Sequence, residues 1–286
     1  SKGRPWSHDC LTARLPQMLS PAGMQHTGDV VSEFIDIDHS ADPDRLVSFL
    51  DTVAVVMAPT KSTLLDMLDI RPGQRILDLG CGAGHDLVSI AEAGGFAVGV
   101  DPSMHMLKSC MLRCPSARLI RADGTALPLA DGTLDGCRIE RVLVHLTDPG
   151  AVLAEVRRVL RAGGRIVLFE PSTATLRIDG QSAVLDAALR QGIGARYRQP
   201  RAGQRAGKWL RDNGFSRVRT RNDVRWFHHV DRLTESMNLA AIWQHAVDAG
   251  VITPVDVSAW RADMARRSNE STFGASVRGT FATGVA

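Results

Sequence analysis

The stretch RILDLGCGAGHD, residues 75–86, decides how the rest of the chain is interpreted. An apolar run typical of a strand is followed at once by three glycines at alternate positions, Gly80, Gly82 and Gly84. Ordering a glycine costs more entropy than ordering another residue, so such a cluster indicates that another group approaches the backbone closely. We predict a strand–turn–helix unit in which Gly80 and Gly82 have positive φ and expose main chain to a ligand at the helix N-terminus. Gly84 would allow the helix to pack closely on the strand.

The size and composition of the chain are typical of a globular protein. Its 286 residues are 44% hydrophobic and 23% charged, which predicts one α/β domain with added helical pieces. No window approaches the roughly 18 consecutive apolar residues that a membrane-spanning helix needs. The N-terminal residues lack the apolar run of a secretory signal, and we therefore expect a cytoplasmic protein.

The five cysteines are odd in number and are scattered along the sequence. This pattern argues against a disulfide framework. Nor is there a group of about four ligands with the spacing that a zinc site requires. We therefore expect free thiols and no bound metal.

The net charge of +3 implies no anionic partner by itself, but the basic residues are unevenly distributed. Residues 190–225 contain eleven lysines and arginines and only two acids, Asp212 and Asp223. Such a run is typical of a solvated basic face, and it would also suit RNA or a substrate that carries phosphate or carboxylate. The sequence leaves these alternatives open.

The residues before the glycine turn indicate two helices. Residues 41–58 place their apolar side chains on one stripe. Asp42 stands at the N-cap of this segment and Pro43 at its first helical position. Thr60 is expected to cap a second helix over residues 61–68.

From residue 75 onward, strand-like and helix-like segments alternate. The predicted strands are residues 75–79, 96–100, 117–122, 134–139 and 165–169. Helical patterns between them cover residues 85–93, 103–114 and 148–160. The alternation predicts a parallel sheet with helices on both faces, and right-handed crossovers make such a sheet doubly wound.

After residue 169 the alternation ends. We predict irregular chain over residues 171–200, with one helix inside it. The later elements are a helix at 202–214, a strand at 215–227, helices at 231–250 and 254–267, and a closing strand at 277–286. We therefore divide the chain into an N-terminal arm with cap helices (1–60), a ligand-binding core (61–171), and a lid segment with helices and closing strands of the same domain (172–286).

Two acidic residues follow the glycine turn, at the ends of the next two strands. Asp101 ends the second strand, where an acid accepts hydrogen bonds from both hydroxyls of a ribose. Asp123 ends the third strand and is placed to accept from the amino group of an adenine, and Met104 can lie on the face of that base. Glycine turn, ribose acid and adenine acid, in this order, predict a nucleoside site across three strand ends.

Four segments carry a resemblance to a known family: ILDLGCGAG (76–84), VGVDPSMHML (98–107), RADGTALPLADGTLDGC (121–137) and LTDPGAVLAEVRRVLRAGGRIVLFEP (146–171). They resemble successive motifs of the class I S-adenosylmethionine (SAM)-dependent methyltransferases of the ubiquinone/menaquinone-biosynthesis type. The resemblance implies a Rossmann-like fold with a mostly parallel, seven-stranded sheet, SAM as cofactor and S-adenosylhomocysteine (SAH) as product. It also implies methyl transfer to a small-molecule acceptor, which we expect to belong to specialised-metabolite biosynthesis.

The same resemblance implies which residues hold the cofactor. The methionine and ribose portions would lie against Asp78, Gly80, Cys81, Gly82 and Gly84. The adenosine would be held by Asp101, Pro102, Met104, Asp123, Gly124 and Thr125. Ile139 and Glu140, at the end of the fourth strand, would lie beside the sulfonium. The family commonly has small or neutral residues at this strand end, where the present chain reads CRIER (137–141).

A methyltransferase must align its acceptor with the S–CH₃ bond and exclude water. An oxygen or nitrogen acceptor also benefits from a base within about 3 Å. His145, just after the fourth strand, is the first candidate for this base, and packing against the cofactor or the core is its alternative role. His39 could lie on a lid over the site, and Glu140 is a further candidate. The remaining candidates are Glu170 and the pair His228–His229.

Two other functions fit parts of the sequence. The basic run suits a methyltransferase that acts on RNA or another nucleic acid, but the Asp/Asn-Pro-Pro-aromatic sequence of base-amino methyltransferases does not follow the fourth strand. A SAM-binding fold can also steer a cyclisation or bind substrate without methyl transfer. We expect a small-molecule substrate, no nucleic acid and no membrane span. Homo-oligomer formation is left open, because the N-terminal arm could exchange between subunits.

Overall fold

A seven-stranded sheet forms the centre of the protein. The computed structural model describes residues 34, 36–179 and 182–286. Its strands are β1 (Arg75–Leu79), β2 (Phe96–Asp101), β3 (Arg118–Arg121), β4 (Leu134–Glu140), β5 (Leu160–Ile178), β6 (Ser216–Phe227) and β7 (Ala275–Val285). The spatial order is β3-β2-β1-β4-β5-β7-β6, in which β1 to β5 are parallel and β7 is antiparallel to both of its neighbours. The predicted α/β class and the mostly parallel, doubly wound sheet are confirmed.

The helices of the described chain follow the predicted alternation. They are α1 (Pro43–Val56), α2 (Ala58–Leu68), α3 (His85–Glu92), α4 (Met104–Arg113), α5 (Pro149–Val159), α6 (Ala183–Arg196), α7 (Ala202–Asp212), α8 (Val230–Met237), α9 (Leu239–Asp248) and α10 (Pro254–Asn269). Short 3₁₀ helices lie at Ile37–His39 and Leu143–His145. Asp42, Ser103 and Asp148 each accept a hydrogen bond from a backbone N–H of the helix that follows, as N-cap residues do.

Three elements differ from the sequence prediction. Helix α2 begins at Ala58, so Thr60 lies inside the helix and not at its N-cap. Strand β5 continues to Ile178, because its second half pairs with β7 instead of becoming irregular. The single helix predicted over 231–250 is two helices, since Asn238 has a φ of +49°, which a right-handed helix cannot accommodate.

Helices cover both faces of the sheet, and a further apolar layer lies beside the antiparallel strands. Helix α5 packs on one face and helices α2, α3 and α4 on the other. This layer consists of helices α6, α8, α9 and α10 and packs on the ends of β5 and β7. At its centre lie Trp243 and Trp260, whose ring centroids are 5.0 Å apart. These two tryptophans are buried core residues, whereas Trp226 is exposed.

The described cysteines, Cys81, Cys110, Cys114 and Cys137, are buried free thiols. Cys10 and the other residues of the predicted N-terminal arm up to position 33 lie outside the described residues. Within the described part of the chain, no three His, Cys, Asp or Glu side chains are grouped so that they could hold a metal ion, and the expectation of no metal stays a prediction. None of the helices described above is both long enough and apolar enough to span a membrane.

The glycine turn after β1 has the predicted backbone conformation, with φ of +69° at Gly80 and +50° at Gly82. A Cβ at Gly80 would lie 2.5 Å from Val142 Cγ2, and a Cβ at Gly82 would lie 3.2 Å from Leu50 Cδ1. The N–H groups of both glycines are bonded to acceptors of β2. Glycine is therefore required at both positions because side chains of other segments approach the turn. The N–H groups of Gly80 and Gly82 are already bonded, so they are not free for a ligand as the sequence had suggested.

Gly84 serves a different contact from the one predicted. It precedes α3 with a φ of +85°. A Cβ here would lie 2.9 Å from Cys110 Sγ and 3.1 Å from Cys110 Cα, both on α4. The close packing that Gly84 permits is thus between two helices and not between a helix and a strand.

Part of the basic run lies on the outer strand of the sheet. β6 is an edge strand, and its Arg217, Arg219 and Arg221 are exposed. Charged side chains on an edge strand oppose pairing with a strand of another chain. Protection of the edge strand therefore explains the presence of these three arginines without a nucleic-acid partner.

We expect Gly84→Ala to lower the free energy of unfolding by about 2–4 kcal/mol, because the new methyl group meets both an unfavourable φ and the backbone of Cys110. Gly73→Ala is the matched control, since Gly73 has a φ of +84° but no atom within 4 Å of the added Cβ. The control should lose only about 1–2 kcal/mol. Urea denaturation measures both values, and equal losses would contradict a tight α3–α4 contact.

Candidate functional site

A cleft of about 460 Å³ lies at the carboxyl ends of β1, β2, β3 and β4. Ligands of α/β sheets bind at this edge, and the volume falls within the roughly 300–1,000 Å³ of typical small-molecule sites. One wall, the polar wall, consists of the glycine turn and the residues at the strand ends. The other, the apolar wall, comes from the N-terminal elements and consists of Phe34, Ile37, Phe49, Leu50, Val53 and Ala54.

Asp101 is the central acid of the polar wall, and it is only 6% exposed. Its Oδ2 accepts a hydrogen bond from the Gly82 N–H at 3.0 Å, and its Oδ1 accepts one from the Ser103 N–H at 2.9 Å. Burial raises the pKa of Asp101 to about 6, although these two hydrogen bonds oppose the rise. Because each carboxylate oxygen has a second lone pair, Asp101 can join the glycine turn to α4 and still accept from two ligand hydroxyls.

The end of β3 brings three more predicted residues to the cleft, Asp123, Gly124 and Thr125. Asp123 Oδ1 accepts hydrogen bonds from the N–H and the hydroxyl of Thr125, at 2.8 and 2.7 Å. Its Oδ2 accepts no hydrogen bond from the residues that the structure describes and is left for a ligand. Pro102 and Cys81 also line the cleft.

Four of the residues predicted to hold the cofactor do not line the cleft: Asp78, Gly84, Met104 and Ile139. Asp78 and Ile139 are buried beneath the strand ends. Met104 is 40% exposed on the first turn of α4. The structure therefore brings together the glycine turn, Asp101 and Asp123, but it does not place these four residues on the cleft surface.

One carboxylate, that of Asp38, caps α4 from outside the helix. It accepts hydrogen bonds from the Ser103 hydroxyl at 2.6 Å, from the Met104 N–H at 2.9 Å and from the His105 N–H at 3.0 Å, and it pairs with Arg121 at 3.1 Å. Burial raises the pKa of Asp38, but the hydrogen bonds and Arg121 outweigh it and bring the pKa down to about 2. The ionised group satisfies free N–H groups at the helix N-terminus and fixes the neighbouring Ile37 in the apolar wall.

A buried group of charged side chains lies at the β4 end of the cleft, and we call it the Arg138 cluster: Lys61, Asp78, Asp86, Arg138 and Glu140. Arg138 donates to Asp78 at 3.0 Å, to Asp86 at 2.8 Å and to Glu140. Lys61 pairs with Asp86 at 2.6 Å and with Glu140 at 3.0 Å. The cluster thereby connects β1, β4, α2 and α3.

Three carboxylates in the Arg138 cluster face only two cations. Burial raises the pKa of Glu140, but Arg138 and Lys61 lower it further, so the net shift is downward and the group stays ionised. Burial raises the pKa of Asp78, and its Oδ2 is buried with no hydrogen-bond partner in the described part of the chain. The pKa of Asp78 is raised to about 7, so this group is partly protonated at neutral pH, and a bound cation would favour its ionised form. The sulfonium and ammonium groups of SAM supply such charge, so the residues present fit this cofactor.

His145 lies at the far end of the cleft, between the rings of Phe34 and Tyr197, with centroid distances of 5.9 and 5.6 Å. Desolvation, with smaller contributions from Arg141 and Arg196, lowers the pKa of His145 to about 3. The imidazole is therefore neutral. Its Nδ1 is buried and has no partner among the described residues, which leaves a ring nitrogen available for a hydrogen bond with a bound molecule.

The other catalytic candidates lie away from the cleft surface, except Glu140. His39 is 83% exposed, bonds to Asp36 and does not line the cleft. Glu170 is buried and accepts hydrogen bonds from the N–H groups of residues 142–144. The pair His228–His229 is exposed just after β6. The structure thus brings His145 and Glu140 to the site and leaves the other candidates outside it.

Several residues of the site were missed by sequence reasoning: Phe34, Asp38, Lys61, Asp86 and Tyr197. Only Asp86 has a local signal, because it is an acid in the first turn of the helix that follows the glycine turn. The others come from helices and loops whose distance from the glycine turn is set by tertiary packing.

Comparison with known proteins identifies the family. Residues 77–168 match the methyltransferase domain family, and this segment contains the glycine turn, Asp101 and Asp123. The demethylmenaquinone methyltransferase of Renibacterium salmoninarum is 34% identical over 46% of this chain and 61% of its own length. Residues 77–168 therefore belong to the methyltransferase domain family. The resemblance seen in the sequence is confirmed.

Other relatives of this chain differ in their names and coverage. A protein encoded in transposon TN4556 of Streptomyces fradiae is 35% identical over 77% of this chain and 66% of its own length. An O-methyltransferase of Pyrenophora dematioidea is 31% identical over 50% of this chain and 55% of its own length. The chain spans about half to two thirds of the length of the curated relatives it matches.

Solved structures share the fold of this chain. The YcgJ protein of Bacillus subtilis is 15% identical and covers 80% of this chain and 98% of its own, with a TM-score of 0.57. Phosphoethanolamine N-methyltransferase 2 of Haemonchus contortus, solved with SAM, is 17% identical and covers 90% of this chain and 60% of its own, with a TM-score of 0.58. At these identities the similarity shows the Rossmann-like fold alone.

We expect Asp38→Asn to lower the free energy of unfolding by about 1–2 kcal/mol at pH 7, because an uncharged amide caps α4 less well. The folded pKa lies below the unfolded value of 3.8, so the advantage of the carboxylate is present at neutral pH and is lost as the pH falls from about 4 to 2. Urea denaturation of both proteins at pH 7 and 3 measures this. Asp36→Asn is the control, since Asp36 is exposed and bonds only to His39; a pH-independent difference for Asp38→Asn would contradict the capping role.

We expect Arg138→Met to lower the free energy of unfolding by about 3–5 kcal/mol at pH 7.5, because three buried carboxylates would be left with Lys61 alone. The loss should shrink at pH 5, where protonated acids need less counter-charge. Arg266→Met is the control: Arg266 also pairs with two acids, Asp263 and Glu270, each at 2.6 Å, but it is exposed and should change little. Thermal denaturation compares the two, and a similar small effect for both would refute the structural role of the Arg138 cluster.

Proposed function

We propose that this protein is an enzyme that transfers the methyl group of SAM to a small, largely apolar acceptor, as a step of specialised-metabolite biosynthesis. One observation carries the proposal: a single cleft has a polar wall at the strand ends and an apolar wall from the N-terminal elements. The polar wall suits a nucleoside cofactor. The apolar wall, which includes Phe34 and Phe49, suits the body of an organic acceptor.

Different residues of the polar wall would bind different portions of the cofactor. Asp101 would accept hydrogen bonds from the ribose hydroxyls, and the free oxygen of Asp123 would accept one from the adenine amino group. The Arg138 cluster would attract the methionine end, since its carboxylates outnumber its cations. When bound, SAM supplies an electrophilic methyl group on a sulfonium.

The apolar wall would align the acceptor and keep water out of the site. Phe34 and Phe49 are in contact, with ring centroids 5.8 Å apart, and together they cover the cleft from the side of α1. Alignment and exclusion of water are the main contributions that a protein makes to such a transfer. Phe34 and Phe49 need not gain or lose charge during the transfer.

His145 is the residue that we assign to the acceptor's hydroxyl or amine. Its neutral imidazole lies in the cleft wall and has an unpaired ring nitrogen, so it can accept a hydrogen bond from that group. Glu140 is held ionised by Arg138 and Lys61. We therefore assign Glu140 to the charge balance at the methionine end and not to proton transfer.

The names of the relatives support a small-molecule acceptor. One relative is a demethylmenaquinone methyltransferase and another is an O-methyltransferase. Arg198 of the basic run lines the cleft, whereas Arg217, Arg219 and Arg221 are exposed on β6, away from it. The basic run therefore forms no continuous cationic surface at the cleft, which favours a small molecule over a nucleic acid.

Calorimetric titration with SAH tests the cofactor site, and incubation with tritiated SAM and a panel of phenols tests methyl transfer. We expect saturable SAH binding and an acceptor-dependent release of SAH. Asp101→Ala and Asp123→Ala should each weaken SAH binding at least about tenfold, because each removes hydrogen bonds to a charged group. Asp212→Ala, on the exposed end of α7, is the control. Absence of SAH binding at millimolar concentration would overturn the proposal.

The affinity for SAH should depend on pH through Asp101. The pKa of this buried group is about 6, and only the ionised carboxylate can accept from both ribose hydroxyls. We expect SAH affinity to fall about tenfold between pH 7.5 and 5. The free energy of unfolding of the ligand-free protein should change in the opposite direction. Between about pH 4 and 6 it should fall as the pH rises, because the folded pKa of Asp101 lies above the unfolded value. Calorimetry across this range measures the first effect, and Asp101→Asn should show a flat profile; a wild-type profile equally flat would contradict the role of Asp101.

A further inference from the structure

A second, smaller cavity of about 40 Å³ adjoins the cleft, and we call it the arginine cavity. Arg141 and His145 line both spaces, so these two residues form the wall between them. The other side is formed by Tyr197 and by Asp223 and Arg225 of β6. The volume exceeds the roughly 10–15 Å³ that a single water needs, and it suits a group of a few atoms.

Arg141 lies in the wall between the cleft and the arginine cavity. Its side chain is half-buried and forms no hydrogen bond or ion pair with residues 34, 36–179 and 182–286. The backbone of Arg141 has a φ of +58°. A residue other than glycine is held in this conformation at some cost, and such residues cluster at ligand sites. Burial raises the pKa of the neighbouring Glu140 and Glu170 and the charge of Arg141 lowers it, but the N–H donors of Arg141 are left for a ligand by the residues that the structure describes.

Arg225 faces the same cavity but is firmly anchored. One Nη donates to the Val56 carbonyl at 2.9 Å, and the other donates to Thr60 Oγ1 at 2.8 Å. A guanidinium has five N–H groups, so three remain for other acceptors. Burial lowers the pKa of Arg225, Asp223 raises it, and the nearby charge of Arg141 lowers it further. The last effect shows that the two guanidinium groups repel each other.

The charges around the arginine cavity are unbalanced within the part of the chain that the structure describes. Asp223 is the one carboxylate among the lining residues, against the guanidinium groups of Arg141, Arg225 and the exposed Arg278. Glu140 lies close by, but it is already paired with Arg138 and Lys61. Partly buried like charges are costly without a counter-ion, so an anion in this cavity would stabilise the site.

We propose that the acceptor carries a carboxylate group, which enters the arginine cavity and binds Arg141 and Arg225 while the apolar body of the acceptor lies along the cleft. This inference rests on the proposed function, because it names the class of substrate for the same site. A guanidinium matches the planar carboxylate with paired N–H groups. The cavity is also small enough to favour a carboxylate over a bulkier phosphate ester.

Arg225, which belongs to the basic run, would bind the carboxylate of the acceptor. Arg225 reaches the cavity from β6, whereas Arg217, Arg219 and Arg221 of the same strand are exposed. A neutral acceptor would leave the charges of Arg141 and Arg225 without an added counter-charge. The substrate predicted by this geometry is an apolar carboxylic acid, and not a neutral phenol or a polyanion.

The test uses 4-hydroxybenzoate as the probe and 4-hydroxybenzamide as its neutral counterpart, titrated calorimetrically into protein saturated with SAH. We expect the carboxylate to bind at least about tenfold more tightly than the amide. Arg141→Met should weaken the carboxylate about 10- to 100-fold, the range expected for a hydrogen bond to a charged group, and leave the amide and SAH unchanged. Arg219→Met changes the net charge equally on the exposed part of β6, and it should leave all three affinities unchanged.

The outcomes separate this inference from the proposed function. Absence of carboxylate binding, equal affinities for carboxylate and amide, or an Arg141→Met protein that binds like wild type would each overturn the inference while SAH binding stands. If SAH itself does not bind, the proposed function fails, and the same titrations of the free protein still decide whether the arginine cavity selects a carboxylate. Unchanged SAH affinity in Arg141→Met shows that the variant is folded.

Discussion

The buried guanidinium of Arg138 is the interaction on which the site depends. It is 3% exposed and joins acids from β1, β4 and α3. A charge this deeply buried is tolerated only with partners at hydrogen-bond distance, so the two strand ends and the start of α3 are held in one arrangement, which Lys61 of α2 completes. Since the acids outnumber the cations, the same arrangement leaves an excess of negative charge at one end of the cleft.

The two ends of the site differ in the sign of their charge. The Arg138 cluster is rich in carboxylate, whereas the arginine cavity, beyond His145, is lined by three guanidinium groups and one acid. A cationic methyl donor is favoured at the first end and an anionic acceptor group at the second. The neutral ring of His145 lies at the boundary, where cations on its far side help to keep it unprotonated. Two oppositely charged ligands would therefore be drawn to their own ends of one site.

Features that depend on neighbouring residues could be predicted from the sequence. Asp42 caps its helix as predicted, and Ser103 and Asp148 do so at the first residues of two predicted helical segments, because an N-cap is a contact over two or three residues. Asp101 and Asp123 were found because the strand ends of a parallel sheet meet at one edge. The length of β5 and the contact of Arg225 with Thr60, 165 residues away, were not predictable, since both depend on which distant segments pack together. Helix periodicity carries no information about such pairs.

The wall between the cleft and the arginine cavity shows how the fold holds a strained conformation. The φ of +58° at Arg141 costs about 1–2 kcal/mol in a residue other than glycine. Glu170 accepts the N–H groups of residues 142–144 at distances from 2.8 to 3.1 Å, and hydrogen bonds contribute about 1 kcal/mol each, so together they offset the strain. They also fix the segment that places Val142 over Gly80 and His145 in the cleft wall. Glu170 thus acts on the site through the backbone. It lines neither the cleft nor the arginine cavity, but its hydrogen bonds fix the segment that forms the wall between them.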